Sequence, residues 1–164
     1  KDILRLGEPE LFWGISSGTV DSMVANYTAF KKRRKSDDFT PGGLNNLRPD
    51  RALIVYTNLI RQYSKTKKPI VIGGIEASLR RVAHYDYWSD SVRRSILFDS
   101  KADLLVYGLA ETTIVSLAKA MKEKGEILSI RGISYISKMV PSEYIKLPAY
   151  EEVVTDKIKF TEMF

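Results

Sequence analysis

Apolar runs, broken at intervals by glycine, proline and charge, lay out an alternation of strands and helices along the chain. Ile70, Val71 and Ile72 form a β-branched run stopped by Gly73-Gly74, and residues 104–107 form a second apolar run stopped by Gly108; each reads as a buried strand. Upstream, residues 2–6 read as a short helical turn, 11–16 as a strand and 16–19 as the turn out of it. Val20, Met23, Val24, Tyr27 and Phe30 fall at helical spacing, which predicts a helix over 20–34 capped by Asp21 or Thr19. Residues 36–50, with Pro41, Gly42-Gly43, Asn45-Asn46 and Pro49, read as a long loop of the kind that is usually functional or disordered. A second helix is expected over 49–64, with Pro49 in its first turn and Leu53, Ile54, Leu59 and Ile60 apolar. Downstream, 111–124 reads as an amphipathic helix with Ile114, Val115, Leu117, Ala118 and Met121 inward and Gly125 as its stop. Residues 133–137 read as a last strand, and 149–164, beyond Pro141 and Pro148, as one or two helical turns.

This alternation predicts an α/β fold: a three-layer parallel sheet with flanking helices and right-handed crossovers. Such sheets hold ligands at the carboxyl ends of their strands, where glycines let a ligand approach the backbone. The segment 75–99, leaving Gly73-Gly74, is therefore expected to fold over that end and supply the polar walls of a pocket. It contains Glu76, Ser78, the doublets Arg80-Arg81 and Arg93-Arg94, the only histidine, His84, and Tyr85, Asp86, Tyr87, Trp88, Asp90 and Asp99. That mixture is too polar for a core and too aromatic for a solvent loop. With Gly73, Gly74, Gly108 and Glu111, these residues other than Asp99 are the candidates for a ligand or interface pocket; none is a candidate for catalysis or metal ligation.

Each candidate also has a plain structural explanation. The glycine pair also suits tight strand-to-helix packing, Glu111 suits a helix first turn by dipole alone, and a lone histidine is commonly structural. The arginines either recognise phosphate or carboxylate or pair with Asp86, Asp90 and Asp99; internal pairing is expected for at least one arginine of each doublet.

Composition then narrows the chemistry. At 164 residues, 44% hydrophobic and 28% charged, the chain is one domain of ordinary globular composition, able to bury roughly two thirds of its unfolded surface. It has no apolar run near the ~18 residues of a membrane span and no secretory pattern, which implies a cytoplasmic protein without a membrane partner. With no cysteine and one histidine, disulfide and thiolate chemistry are excluded and little is left for a transition metal. The net charge of +6 invites nucleic-acid binding through Lys31-Lys32-Arg33-Arg34-Lys35. The same run suits the solvated carboxyl end of helix 20–34, where the macrodipole favours cations.

The segments KKRRKSDDFTPGG, RPDRA, GGIEASLRR, AHYDYWSD and VRRSILFDSKADLLVYG resemble the amino-terminal region of the YgiQ-like radical SAM proteins, over nearly the whole chain. GGIEAS and ADLLVYGLAE also resemble the glycine-ended fourth and fifth strands of cobalamin-binding domains that precede many radical SAM cores. The resemblance implies a cobalamin-binding-like, flavodoxin-like topology in which the strand at 11–16 is the third of five and the amino-terminal strands are missing. Residues 1–140 would then form the domain, and 141–164 a tail or linker toward a radical SAM core. It further implies an accessory domain, not itself catalytic, whose partner is its own core, in a parent protein that binds an iron-sulfur cluster and S-adenosylmethionine. The three cysteines such a cluster needs are not in this chain, so the domain itself is expected to bind no cofactor. The Asp-x-His-x-x-Gly motif for cobalt is also absent, and tight cobalamin binding is not expected. With its first strands missing, the strand at 11–16 should lie at a sheet edge and invite self-association. An RNA-binding module and a purely structural docking domain are the alternative functions.

Overall fold

The computed structural model describes residues 2–164. After a 3-10 turn at Asp2–Leu4, the elements in chain order are β1 (Trp13–Ser16), α1 (Ser22–Asn26), α2 (Ala52–Tyr63), β2 (Ile70–Gly73), α3 (Gly74–Leu79), β3 (His84–Asp86), β4 (Ser91–Arg93), α4 (Ile96–Ser100), β5 (Leu104–Val106), α5 (Glu111–Glu123), β6 (Ile133–Tyr135), α6 (Tyr150–Thr155) and α7 (Lys157–Glu162). Four strands form the main sheet in the order β1-β2-β5-β6, and β3 and β4 form a separate hairpin.

β1, β2 and β5 run parallel, with Ile15 opposite Ile72 and Ile72 opposite Leu105. All four residues of β2 are buried, which is why its sequence is a continuous apolar run without alternation. The period of the strand still sorts its side chains. Ile70 and Ile72 join Ile15 and Leu105 on one face, under Leu53 and Ile60 of α2, Ala77 of α3, and Ile96 and Leu97 of α4. Val71, Leu104 and Val106 point the other way, against Leu117 of α5 and the half-buried Ile114 and Met121. The sheet is thus mostly parallel with helices on both faces. No helix among the described residues is long and apolar enough to cross a membrane.

Four expectations need correction. The sheet is not wholly parallel: β6 lies antiparallel to β5, with Ile133 opposite Val106. The chain leaving α5 climbs back along it, with Ile127 and Ile130 packed on the same core as Leu117. The return passes through a turn in which the Ile130 N–H donates to the Ile127 carbonyl at 3.3 Å. Gly132, at φ +86° and against Thr113, then turns the chain into β6 from the top of the sheet.

The helix expected over 20–34 ends at Asn26, and Tyr27 is extended. Asn26 is wholly buried, and its Nδ2 donates to the Arg48 carbonyl at 3.1 Å and to Asp50 at 2.8 Å. The Arg34 N–H takes the Asn26 carbonyl that a helix would have used. The five consecutive cations therefore lie in a reversed loop, not at a helix end, and their mutual repulsion is no help to a helix there. Third, Pro49 precedes the helix it was expected to start, because Arg51 is its left-handed N-cap. Fourth, Val115 is exposed, on the outer face of α5.

Candidate functional site

The corner between β2 and α3 is built by its two glycines. Gly74 has φ +82°, and a Cβ there would lie 2.8 Å from Ser16 Oγ; one on Gly73 would lie 2.9 Å from Val106 Cγ2. The close approach they permit is to β1 and β5. Two residues on stands Glu76, almost completely buried. Its carboxylate accepts the N–H of Ser22 at 3.0 Å and of Leu53 at 3.3 Å, in the first turns of α1 and α2. Ser22 Oγ in turn accepts the Ala52 N–H at 3.0 Å. One acid thereby satisfies the orphan donors of two helix starts, which the helix dipoles favour.

Around this corner the charged residues are sorted into pairs. Arg80 forms an ion pair with the buried Asp21, whose other oxygen caps α1 by accepting the N–H of Met23 and Val24. Asp86 is buried and meets Arg51 at 2.6 Å and Arg93 at 3.5 Å, and also accepts Trp88 N–H and Ser89 Oγ. Burial pushes its carboxyl up, but the hydrogen bonds from Arg51 and Ser89 outweigh that and hold it at about 2. Arg93 also reaches Asp99 at 2.6 Å. One arginine of each doublet is thus paired inside the protein. Arg93 takes two of the expected partners, Asp86 and Asp99, whereas Arg80 takes Asp21 and Asp90 accepts the Tyr85 hydroxyl at 2.6 Å. Of the outer two, Arg94 meets the exposed Glu151 at 3.4 Å and lies over the Tyr150 ring. Arg81 donates to the Ser78 carbonyl and lies over the Tyr107 ring, 5.2 Å from its centroid, with no carboxylate partner among the described residues.

Between α1, α3 and the hairpin lies a cleft of ≈ 190 Å³ that gathers Arg80, His84, Tyr85, Asp86, Tyr87 and Trp88 with Asp21, Val24 and Leu79. Trp88 packs between Tyr27 and Tyr87, ring centroids 5.4 Å from each, and the Tyr87 hydroxyl donates to the Ala29 carbonyl. His84 Nδ1 stands 3.2 Å from the Val82 carbonyl, and its Nε2 is buried with no partner among the described residues. Burial pushes the imidazole pKa down, so the ring is neutral and carries its proton on Nδ1.

The other candidates lie elsewhere. Gly108 donates its N–H to Ser78 Oγ, which donates to the Gly74 carbonyl, and Glu111 is exposed in the first turn of α5. Three of the five cations at 31–35 anchor their own loop: Lys31 lies over Tyr87, Arg33 pairs with Asp50, and Arg34 donates to the Val24 and Tyr27 carbonyls. Among the described residues no cluster of histidine and carboxylates is arranged to hold a metal ion. Sequence reasoning missed Asp21 as an ion-pair partner, Arg51, and the rim residues Val24 and Leu79. For Asp21 the available signal, a helix cap, pointed to only half of its role.

The Radical SAM N-terminal family matches the chain over residues 1–164. The chain is 56% identical to a UPF0313 protein of Fusobacterium nucleatum, over 99% of this chain and 29% of that protein. It is 55% identical to a UPF0313 protein of Thermotoga maritima, over 99% of this chain and 29% of the relative. A UPF0313 protein of Clostridium botulinum is 49% identical over 100% of this chain and 26% of its own length. The chain therefore spans less than a third of the curated relatives it matches. No solved structure matches it. The match runs the length of the chain and includes every segment that frames the cleft, so the chain belongs to the Radical SAM N-terminal family.

Proposed function

We propose that this chain is an accessory domain of a longer radical SAM enzyme and docks on the part of the parent that carries the chemistry. One observation carries the reading: the family match covers the whole chain, while the chain has no cysteine. Iron-sulfur clusters are held by cysteine thiolates, so the residues here do not fit that group, and the parent's cluster and S-adenosylmethionine belong to residues outside 1–164. No step of the radical reaction is assigned to these residues. The stretch 136–147 leaves Ile136, Met139, Val140, Tyr144, Ile145 and Leu147 exposed along one segment, which supports a surface made to be covered.

In this reading β1, β2 and β5 are the third, fourth and fifth strands of a cobalamin-binding-like, flavodoxin-like sheet. The parallel order β1-β2-β5 and the exposed Gly14 and Ser16 of β1 support it; β6 departs from the pattern. The outer edge of β1, unpaired among the described residues, makes self-association of the isolated chain an expected result. The test is anaerobic cluster reconstitution followed by an S-adenosylmethionine cleavage assay. The full-length parent is expected to cleave it and the chain 1–164 is not; turnover by 1–164 alone would overturn the proposal.

A further inference from the structure

The apolar stretch between β6 and α6 and the end of the chain converge on one groove. Along the stretch the large apolar side chains stay open: Met139 is 81% exposed, Val140 74% and Ile145 91%, and Ile136, Tyr144 and Leu147 are exposed as well. Pro141 interrupts the stretch and Pro148 closes it, and among the described residues no strand or helix takes up its backbone. Its hydrogen bonds are local. Ser137 Oγ donates to the Met139 carbonyl and accepts the Met139 N–H, and the Tyr144 N–H donates to the Pro141 carbonyl at 3.3 Å. A monomeric domain rarely leaves more than about 300–600 Å² of contiguous apolar surface bare unless something covers it. Six side chains of this size along one segment reach that limit.

The place where the chain leaves the domain says what covers it. Leu147 and Pro148 line an open groove of ≈ 480 Å³ together with Val82, Phe98 and Met163. Phe98 is half exposed there, and Phe164, the residue after Met163, is 84% exposed. The chain thus departs at the groove into which the apolar stretch runs. In a relative such as the Fusobacterium nucleatum protein the matched part is 29% of the length, and the matching family is an amino-terminal one, so most of the remainder follows the position of Phe164. We infer that the segment of the parent chain immediately beyond Phe164 turns into this groove and lies along 139–147, covering its apolar side chains and fixing the domain against the rest of the parent. The inference rests on the docking reading above and names the surface through which it acts. Reach is sufficient, because about ten extended residues span the ~30 Å that 139–147 can cover at most. Being joined to the domain, that segment is present at an effective concentration of about millimolar. A second copy of the chain has no such advantage, since a stable interface between separate molecules needs about 1,000 Å² or more. With Lys138 and Lys146 offset in part by Glu143, the stretch offers the phosphates of a nucleic acid little.

The experiment uses the full-length parent with photo-reactive benzoylphenylalanine in place of Tyr144 and, in a separate protein, in place of Leu109, which is 92% exposed and lies outside the stretch. Mixing isotope-labelled and unlabelled copies separates links within a chain from links between copies. The Tyr144 probe is expected to cross-link within its own chain to a peptide in the first 20 or so residues beyond Phe164, about twice the reach required. In that background Ile145→Asp, a change at an open position that leaves the fold intact, should cut the yield about tenfold by placing a charge under the covering segment. Ile145→Leu should retain most of it. If the Leu109 probe reaches a peptide outside 1–164 and the Tyr144 probe does not, the docking reading stands and the cover falls. The same holds if Tyr144 links only to a peptide farther along the parent chain. If neither probe reaches outside 1–164, both readings fall. Links from Tyr144 only to a second copy, to nucleic acid, to lipid or within 1–164 overturn the cover, and so does an Ile145→Asp yield equal to that of the unsubstituted protein.

Discussion

The two arginine doublets are alike in sequence and have been divided alike by the fold, each into an inner and an outer member. Arg80 and Arg93 turn inward to buried carboxylates. Arg81 and Arg94 lie at the surface, each over an aromatic ring. A charge that faces a buried partner cannot be spared, because its removal strands the partner in a medium that solvates it poorly. A charge at the surface keeps its hydration either way. The same residue type, one position apart, is therefore structural in one place and available in the other.

Arg80→Ala should separate the two classes most sharply. It leaves Asp21 buried and unpaired at the start of α1, at a cost of about 3–5 kcal/mol. For a chain of this size that corresponds to a fall in thermal midpoint of roughly 10 °C. A midpoint within ~2 °C of the parent sequence would show that water replaces Arg80 at no cost and would dissolve the distinction.

Acid tests the second inner cluster without a mutation. Asp86 is held at about 2, below its ordinary 3.8. A depressed carboxyl contributes stability that is complete above its unfolded pKa and is lost as pH falls through the folded one, so the loss should run from about pH 4 to pH 2. Its size is roughly 2 kcal/mol. Asp86→Asn should flatten that part of the profile. His84 acts at a higher pH and in the same sense: burial lowers its pKa, so its contribution is complete above about 6.5 and declines below. A stability profile for Asp86→Asn that matches the parent sequence between pH 2 and pH 4 would remove Asp86 from the inner class.

How much of this was legible beforehand depended on the range of the interaction. The strands at Ile70–Gly73 and Leu104–Val106 announce themselves because a strand buried on both faces must be a continuous apolar run. The helices at Ala52–Tyr63 and Glu111–Glu123 follow from period and stop signals. The short α1 was not legible, because what ends it is the burial of Asn26 against Arg48 and Asp50, more than 20 residues away. The direction of β6 was not legible either, since Ile127 and Ile130 return along α5 with no local sign of doing so. In the site, the composition of 75–99 marked the polar segment. The choice of Asp21 over Asp86, Asp90 or Asp99 as the Arg80 partner is set by a contact 59 residues apart, which no local pattern encodes.

Among the outer pair, Arg94→Ala should have the larger effect. It removes an exposed pair to Glu151 at 3.4 Å and the contact with Tyr150 that ties α6 to the hairpin. Together these contribute about 1 kcal/mol, and the effect on the thermal midpoint should shrink in high salt, where the ion pair is screened. A salt-independent loss of several degrees would assign the effect to α6 packing alone.

Arg81→Ala is expected to be the mildest. The guanidinium donates to the Ser78 carbonyl and rests on Tyr107, and with no carboxylate left stranded the cost should be about 0.5 kcal/mol, within the scatter of surface substitutions. Arg81 also stands beside the carboxyl end of β5, over Tyr107, with no carboxylate partner among the described residues. If that end of the domain meets the catalytic part of the parent or an anionic ligand, Arg81→Ala in the full-length protein should lose activity at unchanged stability. Arg81→Lys should then recover only part of it, because a point charge cannot reproduce a planar, ring-stacked donor. Stable Arg81→Ala and Arg94→Ala proteins with full parent activity would show that neither outer arginine takes part in the reaction or the docking. The two doublets would then differ only in how deeply the fold has buried them.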